Sequence, residues 1–77
     1  MLTGEQIRAA RALLRMEQAK LAELSGLSLP TIKRLEAAVG PIAANTSTEA
    51  ALRKALGDAG VILIDENGDG AGVRLKR

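Results

Sequence analysis

Cationic side chains dominate the reactive groups of this chain. Arg8, Arg11 and Arg15 recur at i, i+3 and i+7, the spacing of one helix face, and Lys33 and Arg34 form an adjacent pair. Guanidinium and ammonium groups arranged in this way make salt-sensitive contacts with phosphate, and Lys and Arg are the side chains that read guanine O6 and N7. The same stripe also describes a solvated helix face. The chain has no His and no Cys. Imidazole general bases, imidazole or thiolate metal ligands, disulfides and iron–sulfur sites are therefore excluded. No base, nucleophile and cleft converge, so no enzyme is expected and no catalytic residue is assigned. The absence of aromatic residues disfavours stacking on single-stranded nucleic acid.

Two glycine-rich patterns carry less than they first suggest. Asp65-Glu66-Asn67-Gly68-Asp69-Gly70 matches the opening of an EF-hand loop, but its twelfth position is Lys76 instead of a bidentate Glu. Gly68-Asp69-Gly70-Ala71-Gly72 has the glycine content of a phosphate loop, yet no helix and no Lys-Ser/Thr pair follow it. Neither a metal site nor a cofactor is expected.

The elements that must position the cations come from a chain of 77 residues, which makes one compact domain. A composition 47% hydrophobic and 26% charged, with a formal net charge of +2, suits a soluble globule. No apolar run approaches the roughly 20 residues of a membrane span. Met1-Leu2-Thr3-Gly4-Glu5 lacks a basic region followed by an apolar stretch, so no signal peptide and a cytoplasmic location are expected.

Thr3 and Gln6 match a capping box opening a helix over 3–16, with Ile7, Ala10 and Leu14 at helical spacing. A second helix is predicted over 17–25 and stops at Gly26. Ser28 caps a third, over about 28–38, with Pro30 in its first turn and Ile32 and Leu35 inward. Residues 40–47 read as a loop. Thr46 and Glu49 form a second capping-box pattern, ahead of a helix from about Thr48 to Ala59 with Ala51, Leu52, Ala55 and Leu56 inward. The period then changes. Val61-Ile62-Leu63-Ile64, a turn-rich segment and the alternating Val73-Arg74-Leu75-Lys76 make a C-terminal β-hairpin. The fold class is mainly α: a four-helix bundle with a helix-turn-helix over 1–60 and a hairpin over 61–77.

Residues 16–36 carry the sharpest pattern. A small residue (Ala22), a glycine four residues later (Gly26) and an inward β-branched residue six beyond it (Ile32) meet the packing needs of a helix-turn-helix. An ordinary αα-hairpin meets them about as well. With Gln18, Leu21-Ala22, Gly26, Ser28, Thr31-Ile32 and Leu35-Glu36 together, the sequence resembles the Cro/Xre-type helix-turn-helix proteins, the fold of phage repressors. The resemblance runs from about Ile7 to Leu56. It implies four or five helices, a third helix inserted in the DNA major groove and, commonly, a dimer on a two-fold operator. Many members end in a further helix where this chain has a hairpin.

The resemblance also implies roles. Gln18 and Thr31 become phosphate contacts, as do Arg8 and Arg15 from the basic stripe. Ser28, Leu29, Pro30, Lys33 and Arg34 occupy the positions that face bases. Of these, Lys33 and Arg34 offer the cationic donors, whereas Leu29 and Pro30 can only pack against a thymine methyl or shape the fit. Glu36 becomes a structural acid paired with Arg8 or Arg11 on the surface. The expected function is a sequence-selective regulator of transcription bound to double-stranded DNA. The rival is an antitoxin, anti-repressor or polymerase-contacting adaptor whose fold grips a protein, such as a toxin or RNA polymerase. A lone hairpin is marginal in water. Val61, Ile62, Leu63, Ile64, Val73 and Leu75 are therefore expected to join two copies in a homodimer. The alternative cover is the chain's own loop at 40–47.

Overall fold

The computed structural model describes residues 1–76. Arg77, the last basic residue of the predicted hairpin segment, lies outside them. Helix α1 (Gly4–Leu14) starts where the capping box requires. The Thr3 hydroxyl accepts from the Gln6 N–H at 3.1 Å, and Gln6 Oε1 accepts from the Thr3 N–H at 2.9 Å. Arg15, at φ 54°, ends the helix in the left-handed region. Helix α2 (Gln18–Ser25) closes on Gly26, whose φ of 75° turns the chain while its N–H donates to the Ala22 carbonyl. Helix α3 (Leu29–Glu36) is capped by Ser28, which accepts from the Thr31 N–H at 3.2 Å.

α3 stops at Glu36, short of the expected end near 38. The chain must return to α1: the Gly40 carbonyl accepts from the Gly4 N–H at 3.1 Å, and the Ile42 N–H donates to the Leu2 carbonyl at 3.0 Å. Gly4 lets these two ends meet, because a Cβ there would overlap the Ala38 carbonyl. Residues 40–42 are thus spent on the start of α1, and Ile42 enters the core.

Helix α4 (Thr46–Ala59) begins two residues before the predicted start. Its cap is Asn45, not Thr46. Asn45 Oδ1 accepts from the Thr48 N–H at 2.8 Å, and the Glu49 carboxylate turns instead to Arg53 Nε at 3.0 Å. Asn outranks Thr at this position, so the stronger of two adjacent caps sets the start. Strands β1 (Val61–Ile64) and β2 (Gly72–Leu75) then pair antiparallel, with Val61 opposite Leu75 and Ile64 opposite Gly72.

The core joins all four helices to β1. Leu2, Ile7, Leu21, Ile32, Leu35, Leu52, Leu56 and Val61 are fully enclosed. The hairpin lies over α1 and α4, and Gln6 fastens it. Having capped α1 through its oxygen, the buried Gln6 donates its amide nitrogen to the carbonyls of Ile64 at 2.9 Å and Gly72 at 3.1 Å. Among the described residues, no helix is long and apolar enough to cross a membrane.

Candidate nucleic-acid interface

Helical spacing divides α3 into two faces. Ile32, Leu35 and Glu36 are buried, and Leu29 is half-buried against the same core. Positions 29, 32, 35 and 36 form one side of a helix, so Pro30, Lys33, Arg34 and Ala37 form the other. All four of these are exposed, and so is the capping Ser28. Leu29 therefore leaves the group expected to face bases: its side chain serves the core. The Ser28 hydroxyl donates to Thr31 Oγ1 at 2.8 Å, so these two candidate contacts are tied to each other.

The Lys33 ammonium has no hydrogen-bond or ion-pair partner among the described residues. Arg34 gives one N–H to the Ala43 carbonyl at 3.3 Å, leaving the other donors of its guanidinium facing solvent. The two are the free cationic donors of α3.

The C-terminal end of α3 is held by a polar network that the sequence reading undervalued. Glu36 is 4% exposed, so it is not a partner in a surface pair. Arg11 grips its carboxylate with two N–H groups, Nε to Oε2 and Nη2 to Oε1, the latter at 2.9 Å. A third Arg11 N–H reaches the Met16 carbonyl at 2.7 Å, and Gln18 Nε2 donates to Glu36 Oε1 at 3.2 Å. The hydrogen bond that Arg11 donates to Glu36 holds the Arg11 guanidinium above its ordinary range, with burial opposing it. Arg8 donates to the main-chain carbonyls of Glu36 and Ala38, satisfying acceptors that a helix end leaves open.

The predicted basic stripe is therefore divided. Arg8 and Arg11 brace α3, and Arg15 alone of the three stands exposed with no partner among the described residues. Gln18 opens α2 as expected, but one of its amide hydrogens is committed to Glu36. Beside it, Glu17 sets an exposed carboxylate at the N-terminus of α2. Lys20 is paired with Glu23 at 2.9 Å, which lowers the Glu23 carboxyl from its ordinary value. The bracing role of Arg8 had no signal in the sequence, because a main-chain acceptor leaves no residue type to match.

Two of the three acids in the turn after β1, Asp65 and Glu66, are used internally. Glu66 Oε2 accepts from the Gly68 and Gly70 N–H groups at 2.9 and 3.1 Å, and Asp65 pairs with Arg53 at 2.9 Å. Of the residues expected to join two copies, Val61 is 1% exposed and belongs to the core of its own chain. It leaves that group because β1 is laid directly over α4. Leu63 and Val73 are half-buried against the same core, whereas Ile62 and Leu75 are exposed.

The chain is thus a mainly helical domain in which α2, a glycine turn and α3 present one free cationic face, followed by a C-terminal hairpin. No family model and no curated protein matches it.

Proposed function

We propose that this protein is a regulator of transcription of the Cro/Xre helix-turn-helix type, binding double-stranded DNA with α3 in the major groove. The observation that carries the reading is the outer face of α3: Lys33 and Arg34 project from a helix whose opposite side is buried and whose end is locked by Glu36, Arg11 and Arg8. A recognition helix needs this combination, since base edges are read only by donors held at fixed positions. Arg15 and the first turn of α2, with the free hydrogen of Gln18, supply phosphate contacts. Such a protein works in the cytoplasm, on the nucleoid.

The experiment is a binding titration on a duplex enriched from a random library near physiological salt. Lys33→Ala or Arg34→Ala should cost about 1–3 kcal/mol on that site and relax selectivity at one base pair. An equal loss on all sequences assigns the residue to phosphate instead. Glu17→Gln should tighten binding and leave the selected sequence unchanged, since it removes a like charge from a phosphate contact. If neither Lys33→Ala nor Arg34→Ala weakens binding, the reading fails.

One observation favours a second reading, in which the same face grips a protein such as a toxin or RNA polymerase. The first turn of α3 offers a base little: Leu29 is turned inward, Pro30 has no donor, and the Ser28 and Thr31 hydroxyls are bonded together. Absence of any enriched duplex, with a partner co-purifying on the wild-type protein and lost on Arg34→Ala, would favour it.

A further inference from the structure

The turn between β1 and β2 holds a reactive pair. Asn67 and Gly68 are adjacent and both exposed. The side-chain amide carbon of Asn67 and the main-chain nitrogen of Gly68 are joined through Cα and the carbonyl carbon, so a bond between them closes a small ring. Such a closure is intramolecular and needs no encounter. It does need an unhindered nitrogen, a group to take its proton, and a donor for the oxygen that gains charge. Gly68 is the unhindered nitrogen: it has no side chain, and nothing stands within 4 Å of where a Cβ would be. Glu66 is placed to take the proton. Its Oε2 accepts from the Gly68 N–H at 2.9 Å, within the reach of a general base. A second bond, from the Gly70 N–H at 3.1 Å, holds that oxygen in place. The Asp69 N–H is the donor, reaching Asn67 Oδ1 at 3.2 Å. The same bond folds the Asn67 amide back along the main chain at Gly68.

We propose that Asn67 is a self-modification site: the Gly68 nitrogen attacks Asn67 Cγ with Glu66 as the proton acceptor, and the side-chain amide is lost. The proton leaves the Gly68 nitrogen for Glu66 Oε2 as the N–Cγ bond forms. Negative charge collects on Oδ1, which the Asp69 N–H faces. The Cγ–Nδ2 bond then breaks, and Nδ2 departs as ammonia with the proton that Glu66 held. Glu66 is again a carboxylate. Water opens the cyclic imide that remains. Addition at Cγ leaves an ordinary aspartyl residue at position 67, and addition at the main-chain carbonyl carbon leaves an isoaspartyl linkage. The sum is the exchange of NH2 for OH with release of ammonia, and no oxidant or reductant takes part.

The fold confines the product to the turn. Gln6 holds the Ile64 and Gly72 carbonyls, so both strands stay anchored on either side of it. One new carboxylate takes the formal net charge from +2 to +1 and joins Asp65, Glu66 and Asp69. The chain's other asparagine, Asn45, lacks the arrangement. It is followed by the β-branched Thr46, which crowds the attacking nitrogen, and among the described residues no carboxylate accepts from the Thr46 N–H. The inference is independent of the DNA reading, because the conversion is measured without DNA.

The experiment incubates the purified protein in warm neutral buffer and follows it by peptide mapping with mass spectrometry. The peptide carrying Asn67 should gain the mass of an NH2-to-OH exchange, and chromatography should divide it into aspartyl and isoaspartyl forms. The peptide carrying Asn45 should not change. Glu66→Gln keeps an oxygen for the Gly68 N–H but is no base. It should retain the helical circular dichroism and slow the conversion by about tenfold or more in the folded protein. In urea, where neither chain keeps the turn, wild type and Glu66→Gln should convert at equal rates. An unchanged Asn67 peptide in the wild type, equal rates for the two folded proteins, or a Glu66→Gln effect that persists in urea would overturn the proposal.

Discussion

The two ends of the molecule spend their polar groups in opposite ways. At the end of α3, the carboxylate of Glu36 and the carbonyls behind it are met by Arg11, Arg8 and Gln18. At the hairpin, the main-chain groups of Val73 and Leu75 meet nothing within the described chain. Polar groups consumed internally make a rigid support, and the free groups mark a surface. The basic residues divide accordingly: Arg8 and Arg11 hold α3 in place, and Lys33 and Arg34 face solvent.

The sharpest way to break the contrast is to remove its centre. Glu36→Ala leaves Arg11 facing a buried gap and should destabilise the protein by about 3 kcal/mol in urea denaturation, as the loss of one partner of a buried pair does. Arg34→Ala in the same assay should change stability by less than about 0.5 kcal/mol, because its single hydrogen bond is exposed.

Gly4→Ala comes next. In an open helix this exchange stabilises by about 0.4–1 kcal/mol. Here the added Cβ meets the Ala38 carbonyl, so the sign should reverse and the cost should reach about 1–3 kcal/mol. Thermal melts of the two proteins give the sign directly.

Substitution at the two adjacent residues separates their parts in starting α4. Asn45→Ala should cost about 1 kcal/mol, and Thr46→Ala less than about half of that. Equal losses would return the cap to Thr46.

The smallest effect concerns pH. The Gly40 N–H, with Arg8 contributing less, holds the Glu5 carboxyl below its ordinary value of 4.5, and Arg53 holds Asp65 below 3.8. Both groups are lowered by folding, so the stability they add is complete above those ordinary values. It is lost as pH falls through the lower folded values. Melting temperature should lose nothing from these groups between pH 7 and 5 and fall below about pH 4.5. Glu5→Gln should shrink that fall slightly, the group being exposed and screened.

What the sequence made legible was local. The Thr3 capping box, the Gly26 turn, the Ser28 cap and the change of period at Val61 each depend on residues a few positions apart, and all appear in the structure. The inward row of α3 was equally readable from spacing, save Leu29. What stayed hidden depends on distant partners. The pairing of Glu36 with Arg11 was expected from the resemblance, but its burial was not, and Gln6 reaches Ile64 across 58 positions, a separation that leaves no spacing rule. At α4 two caps stand side by side, and the capping-box pattern at Thr46 masks the stronger single cap at Asn45.

The most direct test of the central claim compares the two regions in one spectrum. Backbone amide resonances of the labelled protein are followed while the selected duplex is added. The largest shifts should fall at 17–18 and 28–34, with the hairpin at 61–64 and 72–75 little changed. Shifts centred on the hairpin, or none at α3 at saturating duplex, would contradict it.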